Sequence, residues 1–151
     1  MPRAAIIAAL IILQASLLSA CGDPKPPVGK WEGIYDTPDT MIAARVEIAD
    51  DGKVRVSAPD LTGIQTSGAE ARAGMRTRLS EELTSGWDAV TPRDFEFDGS
   101  KFRKPGGVAP QMEWDKDAAR MTLVIYLGRD PARRVALRPV SDFTRDPFTA
   151  Y

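Results

Sequence analysis

The chain has 151 residues, with 20 lysines and arginines against 21 acidic residues, no histidine and a single cysteine. That length suits one domain with its own apolar core, and the balanced charge leaves no basic field for nucleic acid or an anionic membrane surface. The commonest general base and metal ligand is missing, and one cysteine cannot close an internal disulfide, so no enzyme, metal site or cofactor is expected.

A short positive start, Met1-Pro2-Arg3, precedes an apolar run over residues 4–18 that is interrupted only by Gln14 and Ser16. The run is too short for a membrane span, which needs about 20 apolar residues, and suits the apolar core of a secretory signal peptide over residues 1–20. It ends in Leu18-Ser19-Ala20-Cys21. This tetrad resembles the lipobox of bacterial lipoproteins, in which an aliphatic residue and two small residues precede an obligatory cysteine. The resemblance implies that a signal peptidase recognises Leu18, Ser19 and Ala20. Cleavage falls before Cys21, whose sulfur carries a diacylglyceryl group and whose new amino group is often acylated as well. Two or three acyl chains anchor a protein stably, at about 0.8 kcal/mol per buried methylene. Aspartate directly after the lipidated cysteine favours inner-membrane retention in such lipoproteins. Here Gly22 holds that place and Asp23 follows, which favours the outer membrane. Residues 21–27 read as the lipidated cysteine and a proline-rich extended tether.

From residue 28 to 140 the pattern is that of a β-rich domain. Ile42, Ala44, Val46 and Ile48 share one strand face, with Arg45 and Glu47 on the other. A three-residue loop, Asp50-Asp51-Gly52, keeps apolar opposite apolar by pairing Ile48 with Val54, Glu47 with Arg55 and Val46 with Val56. Ser67 and Glu70 fit a capping box, and Ala71, Met75, Leu79 and Leu83 recur every four residues, so an amphipathic helix is predicted near residues 67–84, stopping at Gly86. A Gly99-Ser100 turn sets Asp98 opposite Lys101, Phe97 opposite Phe102 and Glu96 opposite Arg103. The next hairpin pairs Met112 with Leu123, Trp114 with Met121 and Asp115 with Arg120. Across the loop from Gly128 to Ala132, the last hairpin pairs Ile125 with Val135 and Leu123 with Leu137. With a first strand around Trp31 and Tyr35, the fold class is mainly β: an antiparallel meander of about eight strands, a number that can close a small barrel, plus one inserted helix. Residues 141–151 read as a C-terminal tail.

Gly29-Lys30-Trp31 at the start and Val135-Ala136-Leu137-Arg138 at the end resemble the lipocalin and wider calycin pattern, whose T-D-Y motif is missing. The resemblance implies that Arg138 stacks on Trp31 as a barrel-closing pair. Phe95, Phe97, Phe102, Met112, Trp114, Met121, Leu123 and Ile125 are the inward residues, serving as core or as ligand lining. Asp94, Glu96 and Asp98 share a strand face but are read as a solvated charged face, since Lys101 and Arg103 lie opposite two of them. Ser80, Ser85 and Thr91 lack a histidine to activate them. A membrane-spanning barrel, suggested by the terminal Phe148 to Tyr151, is set aside because charged residues alternate along the strands and a charged helix interrupts them. The expected protein is a lipid-anchored module of the cell envelope. The alternative is lipocalin-like binding of a small apolar or amphipathic ligand, with the helix as plug or lid.

Overall fold

A computed structural model describes residues 22–150. The apolar segment read as a signal peptide, with Leu18, Ser19, Ala20 and Cys21, and Tyr151 lie outside the described residues. Within them the chain is mainly β, with nine antiparallel strands in a curled half-barrel sheet and one helix. The strands are β1 (Gly29–Asp36), β2 (Thr40–Ile48), β3 (Val54–Ser57), β4 (Asp60–Thr62), β5 (Glu96–Phe97), β6 (Lys101–Arg103), β7 (Pro110–Asp115), β8 (Arg120–Ile125) and β9 (Arg133–Val140). Helix α1 (Ala69–Ser85) enters between β4 and β5. The sheet order is β3-β2-β1-β9-β8-β7-β6-β5, with β4 extending the β3 side of β2. The strand predicted after β2 is thus split in two around Ala58 and Pro59, where proline cannot donate to the ladder.

The hairpin registers follow the apolar alternation. β2 and β3 pair Ile48 with Val54, Glu47 with Arg55 and Val46 with Val56, and Gly52 takes φ +82° in the loop between them. Phe97 faces Phe102, and Met112 and Trp114 face Leu123 and Met121, as expected. The last hairpin corrects the expectation by two residues: Val135 pairs with Leu123 and Leu137 with Met121, while Ile125 meets Arg133. A shift of two preserves the faces, so alternation alone does not choose between these registers. The longer loop holds a turn in which the Asp130 amide donates to the Leu127 carbonyl, 3.2 Å away.

The concave face holds one apolar cluster built from Trp31, Ile42, Ala44, Val46, Ile48, Val54, Phe102, Met112, Met121, Leu123, Val135 and Leu137. Residues of distant strands meet there because the sheet curls. Gly33 permits the crossing of β1 and β9, since a Cβ on it would lie 2.2 Å from the Ala136 carbonyl oxygen. At one point the two sheet edges meet: the Val54 amide donates to the Arg93 carbonyl at 2.9 Å, and the Arg93 amide to the Val54 carbonyl at 2.8 Å.

Helix α1 lies on the opposite, outer face, where Leu79 and Leu83 join Met41, Ala43 and Ile64. It is therefore neither plug nor lid of the concave side. A four-residue repeat drifts about 40° per step on a helix of 3.6 residues per turn, so the predicted stripe slides. Leu79 and Leu83 are buried, Met75 is half-buried and Ala71 is exposed. The expected capping box does not form either. Gly68 is the N-cap without a side-chain bond, because Ser67 is held in the preceding turn, where its amide donates to the Ile64 carbonyl at 3.0 Å. Gly86 does end the helix.

Residues 141–150 form no loose tail. They fold back over the outer face, where Phe143 packs edge-on against Trp87, 4.7 Å between centroids. Ser80 Oγ donates to Asp146 Oδ1 at 2.9 Å, and Phe148 packs on the helix cluster.

Candidate functional site

All eight residues predicted to point inward belong to the concave cluster. Phe102, Met112, Met121 and Leu123 are buried in it, and Phe95, Phe97, Trp114 and Ile125 pack against it half-exposed. Phe97 and Phe102 lie 4.4 Å apart between centroids, and Trp31 meets Trp114 edge-on at 6.4 Å. Phe97 and Phe102 are partners within one hairpin, whereas Trp31 of β1 and Trp114 of β7 meet across the curl.

An opening reaches this cluster at the seam where β3 and the segment before β5 share a single backbone bridge, Val54 with Arg93. It is a cleft of about 210 Å³ with Val54, Val56, Phe95, Met112 and Leu123 among its walls, and Thr91, Arg93, Lys104 and Gln111 contributing polar groups. Sequence reasoning found Phe95, Met112 and Leu123 from alternation. It missed Arg93 and Lys104, which lie outside the strands and come together only through the sheet's curl.

The proposed closing pair does not share a face. Trp31 is opposite Pro139, and Arg138 is opposite Glu32. Directly opposed residues point the same way and neighbours alternate, so Trp31 faces the core while Arg138 lies with Glu32 on the outer side. The indole stacked by arginine is Trp87 instead, with the Arg55 guanidinium 4.5 Å from its ring centroid. Arg55 also reaches Glu47 Oε2 at 3.3 Å and donates to the Val90 carbonyl at 3.1 Å.

The outer face carries a buried ion pair that the sequence reading did not anticipate. Glu32 and Arg45 are 0% and 3% exposed and meet at 3.3 Å between Nε and Oε2. Thr144 supplies its amide to Glu32 at 3.0 Å and its hydroxyl at 2.5 Å, and its carbonyl accepts from Arg45. The Leu83 carbonyl and Thr84 Oγ1 each accept a further guanidinium N–H, at 3.3 Å. These bonds offset the cost of burying two charges and make the pair an element of architecture.

The three carboxylates of the aromatic hairpin go to separate partners. Asp94 meets Lys53 at 3.2 Å and Asp98 meets Arg103 at 2.6 Å, while Glu96 accepts the Gly106 amide at 3.1 Å. Arg103, opposite Glu96 in register, thus reaches diagonally to Asp98. That guanidinium, with the Ser100 and Lys101 amides, holds the Asp98 carboxyl well below the usual carboxylate range. Among the described residues no three histidine, cysteine, aspartate or glutamate side chains are grouped as metal ligands would be. Ser80 donates its hydroxyl to Asp146 of the returning C-terminal segment, and Thr91 lines the cleft. Among the described residues no helix is long and apolar enough to cross a membrane. Compared with known proteins, the chain matches no family model, no curated protein and no solved structure.

Proposed function

We propose that this protein is a bacterial lipoprotein, held at the outer membrane by acyl chains on Cys21, whose β-domain is an interaction module of the cell envelope. The small size of the seam cleft is the observation that supports a module over a carrier. At about 210 Å³ it falls below the 300–1,000 Å³ usual for small-molecule pockets, and Trp31 and Trp114 meet across the curl. The lipobox-like tetrad and the apolar run before it support the anchor. Labelled palmitate tests it: the wild-type chain is expected to incorporate the label and sediment with the outer membrane, and Cys21→Ser to lose both. An unlabelled wild-type chain, or membrane retention unchanged in the variant, contradicts the anchor.

A second reading, capture of a small amphipathic anion at the seam, is favoured by one observation. Arg93 and Lys104 flank an apolar cleft, and neither side chain has an ionic or hydrogen-bonding partner among the described residues. Native mass spectrometry before and after organic extraction separates the readings. Equal masses support the filled module. A mass lost on extraction, and not recovered by an R93Q/K104Q variant, supports the cleft.

A further inference from the structure

The proline-rich segment after Cys21 does not leave the domain as a free spacer. Pro24 and Pro26 lie beneath two hairpin turns: a Cβ on Gly99 would sit 3.5 Å from Pro24 Cβ, and one on Gly52 would sit 3.9 Å from Pro26 Cγ. Pro26 and Pro27 are half-buried. The Gly52 turn joins β2 to β3 and the Gly99 turn joins β5 to β6, so the segment runs across the two opposite edges of the curled sheet. Proline fixes φ and keeps such a strap extended, which holds the contact at little further entropic cost.

The strand directions then place every other loop. β1 begins at this end, and each neighbour in the all-antiparallel order reverses. The turns at 49–53, 98–100 and 116–119 and the exit of β9 at Val140 therefore lie at the strapped end, and the loops at 104–109 and 126–132 lie at the other. β2 has nine residues, which at about 3.3 Å each separates the two ends by roughly 30 Å. Cys21 precedes Pro24 by three residues, a reach of at most roughly 10 Å at about 3.5 Å per residue.

We infer that the strap fixes the orientation of the domain on its membrane: the end bearing the Gly52 and Gly99 turns faces the bilayer, and the 104–109 and 126–132 loops point away from it. The inference rests on lipidation of Cys21, as proposed above. The turns at the strapped end carry Asp50, Asp51, Lys53, Asp98, Lys101, Lys116 and Asp117, charges of both signs that stay in water beside the headgroups and do not insert. The distal loops carry two exposed apolar side chains, Val108 at 92% and Tyr126 at 47%, while a third, Val28 at 54%, sits at the strapped end beside Pro27. An acyl anchor confined near Pro24 cannot bring that end to the bilayer while the strap is docked. Val108 and Tyr126 are thereby presented to partners in the aqueous compartment.

Position-dependent quenching tests this on the full chain, exported by a bacterial host and reconstituted in phosphatidylethanolamine vesicles containing a headgroup-linked quencher. Lipidation consumes the Cys21 thiol, so single cysteines introduced as S100C, K116C, V108C or R129C can each carry one fluorophore. The expected result is strong quenching at 100 and 116 and little at 108 and 129. A triple variant, Pro24→Gly, Pro26→Gly and Pro27→Gly, is expected to fold and float with the vesicles yet lose most of that contrast. Equal quenching at both ends in vesicle-bound wild-type chain, or stronger quenching at 108 and 129, overturns the orientation alone. A chain that does not float and keeps a free Cys21 thiol overturns the lipid anchor and the orientation with it.

Discussion

The two faces of the sheet are covered by different chemistry. The concave cluster is apolar, and its partners were written by alternation along neighbouring strands. The outer face holds Glu32 and Arg45 beneath helix α1 and the C-terminal strap, with Thr144 bound to a residue 112 positions earlier in the chain. The first face is tolerant, because dispersion and transfer from water have no direction. The second is exacting, because each buried charge must keep its partner.

The largest losses are expected from one substitution on each face. Phe102→Ala leaves a cavity in the concave cluster and should cost about 3 to 5 kcal/mol in urea unfolding. Arg45→Met strands Glu32 without its charge partner and should cost a similar amount, about 3 to 5 kcal/mol. The faces part at the second step. Adding Glu32→Leu to Arg45→Met should recover most of the loss, since two apolar side chains need no partners. A double variant as unstable as Arg45→Met would mean that the outer face depends on size and shape more than on charge.

Thr144→Val sharpens the same contrast at smaller scale. It removes the hydroxyl from Glu32 while keeping the volume, and should cost about 1 to 3 kcal/mol; a change within error would show that the strap contributes through Phe143 and Phe148 packing alone. Near the bottom of the scale, Ser67→Ala should shift stability by less than about 0.5 kcal/mol because Ser67 caps nothing. A loss of 1 kcal/mol or more would restore the capping box.

Asp98 supplies a pH test on the exposed rim. Its folded pKa is depressed below the ordinary value of about 3.9, so the stabilisation from ionised Asp98 is present above that pH and is lost only as pH falls through the lower folded value. The Asp98 Cγ resonance should therefore still report a carboxylate at about pH 3, and Arg103→Gln should raise its midpoint. An Asp98 midpoint near 4 in the wild-type chain would contradict the pairing with Arg103.

Legibility in the sequence followed the range of the interactions. The Asp50-Asp51-Gly52 and Gly99-Ser100 turns set registers because turn length and alternation agree there, and the inward set from Phe95 to Ile125 was readable for the same reason. The register of β8 with β9 was not, because a slip of two residues leaves every side chain on its own face. Arg45 was readable only as lying on the strand face opposite the apolar one, and Glu32 gave no signal, since alternation cannot see a helix and a C-terminal segment arriving from 38 and 99 residues away to cover them. Arg93 and Lys104 carried no periodic signal, and only the curl of the sheet brings them to one cleft. The prolines of the tether announced stiffness, but not the two turns that they brace.

Intact-mass spectrometry of the full-length protein extracted from its host envelope decides whether Cys21 carries the anchor. The expected mass is that of residues 21–151 plus a diacylglyceryl group and, where the amino group is modified, one further acyl chain. A chain that keeps residues 1–20, or one that begins at Cys21 with an unmodified thiol, would contradict it.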